Sequence, residues 1–320
     1  MMQSTTLPVS PRTPPLGGTA VVQTRNLTKQ YGKRLAVNNL NLDVYQGDIF
    51  GFLGPNGAGK TTTIRMLLGL IAPTSGTVQV LGHDITTHAE DALPRVGALV
   101  ETPALYLYMN GTDNLHAVGQ ALGGVSTQRI QEVLGMVGLA ARQKDRVRTY
   151  SLGMKQRLGV AMALLNDPAV LVLDEPANGL DPAGIVEMRE LFRALAKAGK
   201  TIFISSHVLG EVQQICTRVA ILNLGQLVTE ARPEELTQGN GQYVIYVENA
   251  SAALALIQSQ PWGRMAQLDA NGALLTASPD GRGRSLNKFL VDGGFIPDSI
   301  IYQSESLEQA FLRLTQGGAR

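Results

Sequence analysis

Gly54-Pro55-Asn56-Gly57-Ala58-Gly59-Lys60-Thr61 follows directly on the apolar run Asp48-Ile49-Phe50-Gly51-Phe52-Leu53. It has the spacing G-x-x-x-x-G-K-[ST], and a helix-like periodicity begins right after it, over Thr62 to Leu70. Strand, glycine loop and helix in that order make a phosphate-binding α/β unit. The glycines let the backbone wrap closely around an anion and aim N–H groups at it, and the helix start adds its positive dipole end. Gly54 to Thr62 are therefore expected to hold a nucleotide. Lys60 would reach its β- and γ-phosphates, and the Thr61 hydroxyl would ligate Mg²⁺.

A second apolar run, Val170-Leu171-Val172-Leu173, ends in Asp174-Glu175. Asp174 would hold Mg²⁺, directly or through water, and Glu175 is the better placed to polarise an attacking water. Tyr150-Ser151-Leu152-Gly153-Met154-Lys155-Gln156-Arg157 leads into a helical run. Ser151 and Gly153 at a helix N-terminus make an anion site, although the same pattern also serves as an ordinary helix cap. His207 follows the apolar stretch Thr201 to Ser205. It would approach a γ-phosphate if that stretch is the neighbour of the Asp174 strand; an isolated histidine is more often structural.

Around these motifs the chain reads as an α/β domain over 20–233. Val21, Val22 and the segment around Tyr31 are extended, Val78 to Leu81 is a strand, and 92–165 turns helical, with Ile130, Val133, Leu134 and Val137 on one stripe. Ile185 to Ala198 is a helix between two apolar strands, which gives a parallel, doubly buried βαβ unit. Ala220 to Asn223 and Leu227 to Val228 close the domain. After a Pro-, Glu-, Gln- and Gly-rich linker at 232–241, the order βαββαβα over 240–320 suggests a small α+β domain of the ferredoxin-like kind. Its strands are read at Tyr243 to Val247, Met265 to Leu268, Leu274 to Thr276 and Ser299 to Tyr302. Its last helix opens on Ser306 with Gln309 at capping-box spacing.

Composition narrows the class. A formal net charge of +1 offers no basic field for nucleic acid or for an anionic membrane surface. Cys216, the one cysteine, fits a reducing compartment and reads as a small buried hydrophobe. No window supplies the roughly 20 uninterrupted apolar residues of a spanning helix, since Leu158 to Leu173 is broken by Asn166, Asp167 and Pro168. Residues 1–19, rich in Pro, Ser and Thr, are expected to be a disordered tail and not a signal peptide.

The phosphate loop, Ser151 and Gly153, Asp174-Glu175, Gly179-Leu180-Asp181 and His207, taken in that order, make the sequence closely resemble the ABC ATPase family over roughly Val21 to Glu230. The resemblance implies a P-loop NTPase core with an ABC-type helical subdomain, ATP and Mg²⁺ as ligands, and catalysis by Lys60, Glu175 and His207. It also implies a second ABC ATPase subunit, identical or related, stacked head to tail. Ser151 and Gly153 of one would then cap ATP held by Lys60 of the other, with Asp181 at the seam and Tyr31 stacked on adenine.

Three positions depart from the family's usual pattern. Leu152 stands where a glycine is common, and Ala177 where a threonine is frequent. Val100-Glu101-Thr102-Pro103 replaces the segment that usually carries a glutamine, so Glu101 is expected to approach the metal. The wording around Ser151 and Glu101, and Leu307-Glu-x-x-Phe-Leu-x-Leu-Thr315, resemble the bacterial subgroup that exports bacitracin-like and lantibiotic peptides. This implies a subunit on the cytoplasmic side of the membrane, held there by a separate transmembrane permease and without a nucleic-acid partner. An importer subunit, or a soluble ABC ATPase of ribosomes or DNA, are the competing readings. The latter kind usually carries two cassettes or long basic or coiled-coil insertions, and the C-terminal extension favours export.

Overall fold

The apolar run before the glycine loop is a fully buried strand, Ile49–Leu53, the third of the chain (β3). The computed structural model describes residues 18–237 and 241–316, so the expected tail falls, except for residues 18 and 19, outside the described residues. β1 (Ala20–Tyr31) and β2 (Arg34–Tyr45) precede β3 as an antiparallel hairpin. After it come α1 (Lys60–Leu67), β4 (Ser75–Val80), β5 (His83–Asp84) and β6 (Val96–Leu99). A helical stretch follows, with α2 (Gly111–Ala121), α3 (Thr127–Met136) and α4 (Leu152–Leu164). The chain then returns to the core through β7 (Val170–Asp174), α5 (Pro182–Lys197), β8 (Thr201–Ser206), α6 (Leu209–Ile215), β9 (Arg218–Asn223) and β10 (Gln226–Ala231).

The central sheet is six-stranded, ordered β10-β9-β3-β8-β7-β6, and parallel from β9 to β6. β3, β7 and β8 are buried along their whole length, because both faces are covered, and they carry unbroken apolar runs instead of alternation. Phe203 of β8 packs on Phe50 and Phe52 of β3, with ring centroids 5.7 and 5.1 Å apart. The register sets Leu53 beside Ser206 and Asp174 beside Ser205, so three loops leave the sheet at the same edge. A second, antiparallel sheet runs β2-β1-β4-β5.

Two differences from the sequence expectation have physical causes. Val96–Leu99 lies inside the stretch read as helical from residue 92, but it is an edge strand parallel to β7. The strand is short, and at its centre a Cβ on Gly97 would come within 2.0 Å of the Ala163 carbonyl oxygen, so α4 lies against bare backbone there. Close packing of that kind removes the side chain that would have advertised a strand. β2 is absent from the sequence expectation because bulges break its period-two pattern; Asn26 and Asn39 adopt left-handed φ of 50° and 52° beside them.

The chain divides into two compact units between Pro233 and Glu234. A short helix, Pro233–Thr237, occupies part of what composition reads as a linker, and residues 238–240 lie outside the described residues. In the second unit β11 (Gln242–Val247), α7 (Ala250–Gln258), β12 (Gln267–Leu268), β13 (Leu274–Thr276), α8 (Gly283–Asp292), β14 (Pro297–Gln303) and α9 (Leu307–Gln316) follow in order. The sheet, β12-β13-β11-β14, is antiparallel at every pairing, which is the split-βαβ arrangement of ferredoxin-like units. Tyr243, Ile245 and Leu274 pack with Ala253, Ile257, Leu286 and Leu290 from α7 and α8. β12 keeps only two residues of the strand read from Met265, which is itself 91% exposed. Ser306 and Gln309 form the reciprocal capping box, at 2.9 and 3.2 Å.

Among the described residues no helix is long and apolar enough to cross a membrane. Phe203 is fully buried between the strands that carry the loops. Phe203→Ala is expected to destabilise the first unit by about 3–5 kcal/mol, read as a lowered urea midpoint.

Candidate active site

The glycine loop forms as its spacing requires. Gly57 and Gly59 have φ of +82° and +105°, and a Cβ on Gly59 would lie 2.5 Å from the Ala36 carbonyl oxygen. Gly59 is the N-cap of α1, whose first turn carries no acidic residue, so its free N–H groups face the loop without a competing charge. The loop borders a cleft of about 390 Å³ lined by Tyr31, Arg34, Ala36, Pro55, Asn56, Gly57, Gly59, Lys60, Thr61, Thr62 and Glu175. Gly54 and Ala58 are not in that lining. Gly54 offers its carbonyl to Lys60, and Ala58 is buried, with its carbonyl accepting from Gly225 N–H at 3.0 Å.

Lys60 is 6% exposed, and its ammonium is doubly engaged. It donates to the Gly54 carbonyl at 2.7 Å and pairs with Glu175 Oε1 at 3.2 Å. Glu175 Oε2 in turn lies 2.7 Å from His207 Nδ1. The expected neighbourhood of His207 and the Asp174 strand is thus met through the β7–β8 pairing. Glu175 sits at φ +51°, a left-handed conformation costing a non-glycine residue on the order of 1–3 kcal/mol.

Asp174 is 3% exposed and receives one hydroxyl on each carboxylate oxygen. Thr61 Oγ1 donates to Oδ2 at 2.8 Å, and Ser205 Oγ donates to Oδ1. Ser205, Arg34 and Ala36 are the site residues that sequence reading does not supply. Ser205 left a trace, a polar residue at the end of a buried apolar strand. Arg34 and Ala36 leave none, because the β1–β2 hairpin brings them to the cleft.

Glu101, expected near the metal, is not among the residues that line the cleft. Its carboxylate, 62% exposed, pairs with Arg65 Nη2 of α1 at 2.5 Å. A flanking cation thus captures it at φ +63°, beyond the end of β6.

Ser151, Gly153 and Asp181 form a second focus that does not line the cleft. Ser151 caps α4, accepting from Met154 N–H at 3.2 Å, and Asp181 caps α5, accepting from Gly184 N–H at 2.9 Å. The two caps are neighbours: Leu152 Cδ2 would be 2.8 Å from a Cβ on Gly179, and Leu180 Cδ2 3.6 Å from one on Gly153.

Burial pushes the Cys216 thiol far above its usual range, and Cys216 packs against Gly51 beneath β3, apart from the cleft. Chemically, the cleft presents a cation, N–H donors, hydroxyls and the Glu175 carboxylate, with the His207 imidazole paired to Glu175 outside the lining.

The sequence profile of the ABC transporter family matches residues 37–178. The bacitracin transport ATP-binding protein BcrA of Bacillus licheniformis is 42% identical over 300 residues, covering 93% of this chain and 98% of that protein. The lantibiotic transport ATP-binding protein SrtF of Streptococcus pyogenes is 41% identical over 210 residues, covering 66% and 90%. Among solved structures, an ATP-binding cassette of an ABC transporter in its ADP conformation aligns with a TM-score of 0.63 at 24% identity, over 68% of this chain and 92% of that one, a likeness of fold. An ATP-binding subunit of an ABC transporter aligns with a TM-score of 0.61 at 26% identity, over 68% and 92%.

Gly59→Ala tests the loop geometry. A side chain there meets the Ala36 carbonyl and pays about 1–2 kcal/mol for the left-handed backbone. Binding of a fluorescent ATP analogue is expected to weaken at least about tenfold.

Proposed function

The chain belongs to the ABC transporter family of ATP-binding proteins, and from that premise we propose that it drives a separate membrane permease exporting peptide antibiotics of the bacitracin and lantibiotic kind. The observation that carries the hydrolytic part is the meeting of Lys60, Asp174, Glu175 and His207 at one edge of the parallel sheet. The near full-length similarity to a bacitracin transport protein supports the export part.

In this reading the glycine-loop N–H groups and Lys60 bind the phosphates of ATP, and Tyr31 at the cleft rim stacks on adenine. Arg34, in the same lining and without an ionic partner among the described residues, adds a further cation. Thr61 and Asp174 fit a hard cation: both offer oxygen, and the Thr61 hydroxyl spends its proton on Asp174 and keeps its lone pairs. Thr61 and Asp174 would hold magnesium, which would supply charge neutralisation at the phosphate oxygens. No cluster of three or more acidic, His or Cys residues suited to a metal exists among the described residues, in keeping with an ion completed by phosphate and water.

Glu175 contacts Lys60 through one carboxylate oxygen and His207 through the other. Once the phosphates engage Lys60, Oε1 of Glu175 is released to take a proton from water. The water oxygen attacks the γ-phosphorus, and the bond to the β-phosphate oxygen breaks, giving ADP and phosphate. His207, held by Glu175, contacts the γ-phosphate.

Ser151, Gly153 and Asp181 stand away from this chain's own cleft, which supports a second subunit whose caps would complete it. An apolar groove of about 830 Å³, bordered by Leu99, Val100, Pro103, Val118, Leu122 and Met162, supports docking of the permease on the cytoplasmic side of the membrane.

Glu175→Gln is expected to slow phosphate release on the order of 10²–10⁴-fold while ATP binding persists, and Lys60→Ala to lose both. Glu175→Gln captured with Mg-ATP from native membranes should bring a multi-helix protein lacking its own ATPase domain, and deletion of the gene should raise sensitivity to a bacitracin- or lantibiotic-class peptide. Capture of ribosomal or DNA-repair proteins alone would defeat the transporter assignment.

A further inference from the structure

We propose that Ser205 is a positioning residue of the hydrolytic site, one that fixes the Asp174 carboxylate and the Glu175 backbone through a single hydroxyl. The inference rests on the ATPase reading above and adds to it a residue that none of the expected motifs includes.

Ser205 is fully buried on β8, directly opposite Asp174 in the parallel register. Its neighbours along the strand, Phe203 and Ile204, are apolar, and a buried hydroxyl at such a place is costly unless both its donor and its acceptor are used. Both are used. Oγ donates to Asp174 Oδ1 and accepts from Glu175 N–H at 3.0 Å, and the Ser205 carbonyl accepts from the same N–H at 3.2 Å.

Two consequences follow for the reacting groups. A carboxylate held on one oxygen can still swing about its Cβ–Cγ bond. Thr61 holds Oδ2 and Ser205 holds Oδ1, so the plane of Asp174 is set before any cation arrives. The Glu175 N–H, tied to Ser205, anchors the residue that adopts φ +51°. That backbone turn is what aims the Glu175 side chain back across the sheet edge toward Lys60 and His207. One hydroxyl thus sets the spacing between the carboxylate that holds the metal and the carboxylate that serves the water.

The test compares the full chain with Ser205→Ala, Ser205→Thr and Ser205→Cys. If the role is positioning, Ser205→Ala lowers kcat about tenfold or more with KM for ATP nearly unchanged, and Mn²⁺ titration of the ATP-loaded protein, read as loss of the free-ion EPR signal, shifts to about tenfold higher concentration. Binding of a fluorescent ATP analogue in EDTA stays at the wild-type level. Ser205→Thr, which keeps the hydroxyl, restores both kcat and the Mn²⁺ titration. Ser205→Cys keeps the volume with a weak donor, follows Ala, and carries the test if Ser205→Ala does not fold.

Wild-type kcat and Mn²⁺ titration in both Ser205→Ala and Ser205→Cys would overturn the inference. Equal loss of ATP binding in EDTA, unrelieved by Thr, would also overturn it, by showing a structural role only. A wild-type chain that releases no phosphate defeats the ATPase reading itself, and is recognisable because it precedes any comparison of variants.

Discussion

The cleft depends on β8 lying between β3 and β7. Because the strands run parallel and in matched register, the loop after β3, the acidic pair at the end of β7 and the segment Ser205 to His207 at the end of β8 all emerge at one edge. A shift of one residue in β8 would exchange the faces of its side chains. Ser205 would then turn away from Asp174, and His207 from Glu175. What prevents the shift is the core: Phe203 is clamped against Phe50 and Phe52, so the position of a polar hydroxyl is decided by aromatic packing two residues earlier.

Electrostatics then makes the assembled edge self-consistent. Lys60 and Asp174 are both nearly removed from water, and an isolated charge in such a place would be strongly unfavourable. Each has an internal answer. Lys60 takes a carbonyl and a carboxylate, and Asp174 takes two hydroxyls. The two answers differ in kind. Hydroxyls are neutral and could stay beside a cation at Asp174, whereas the Lys60–Glu175 pair would compete directly with a phosphate for the ammonium. The site is therefore built with one permanent contact set and one exchangeable pair.

This difference also sorts what could be read from sequence. Gly54 to Thr61 announces itself because a local backbone shape demands those residue types, and β3, β7 and β8 because buried parallel strands are continuously apolar. Ser205 could not be read, since its role exists only across a strand pairing. Arg34 and Ala36 reach the cleft through a hairpin whose bulges at Asn26 and Asn39 hide its alternation. β6 was obscured by Gly97, where α4 packs on backbone. Glu101 is the opposite case: its sequence position is legible, but it pairs with Arg65, one helical turn on from Thr61, and that contact cannot be read from its own segment.

Leu152 gives the departure at Ser151 a physical content. With glycine there, the start of α4 and the loop before α5 would keep only the approach of the Leu180 side chain to Gly153. With leucine, a side chain 46% exposed reaches over Gly179, which at φ +75° has no Cβ to obstruct it. The Ser151 cap and the Asp181 cap are thereby joined by an apolar contact instead of flexible glycine backbone. A residue that lacks glycine's freedom at the start of α4 thus also places an apolar side chain between the two caps.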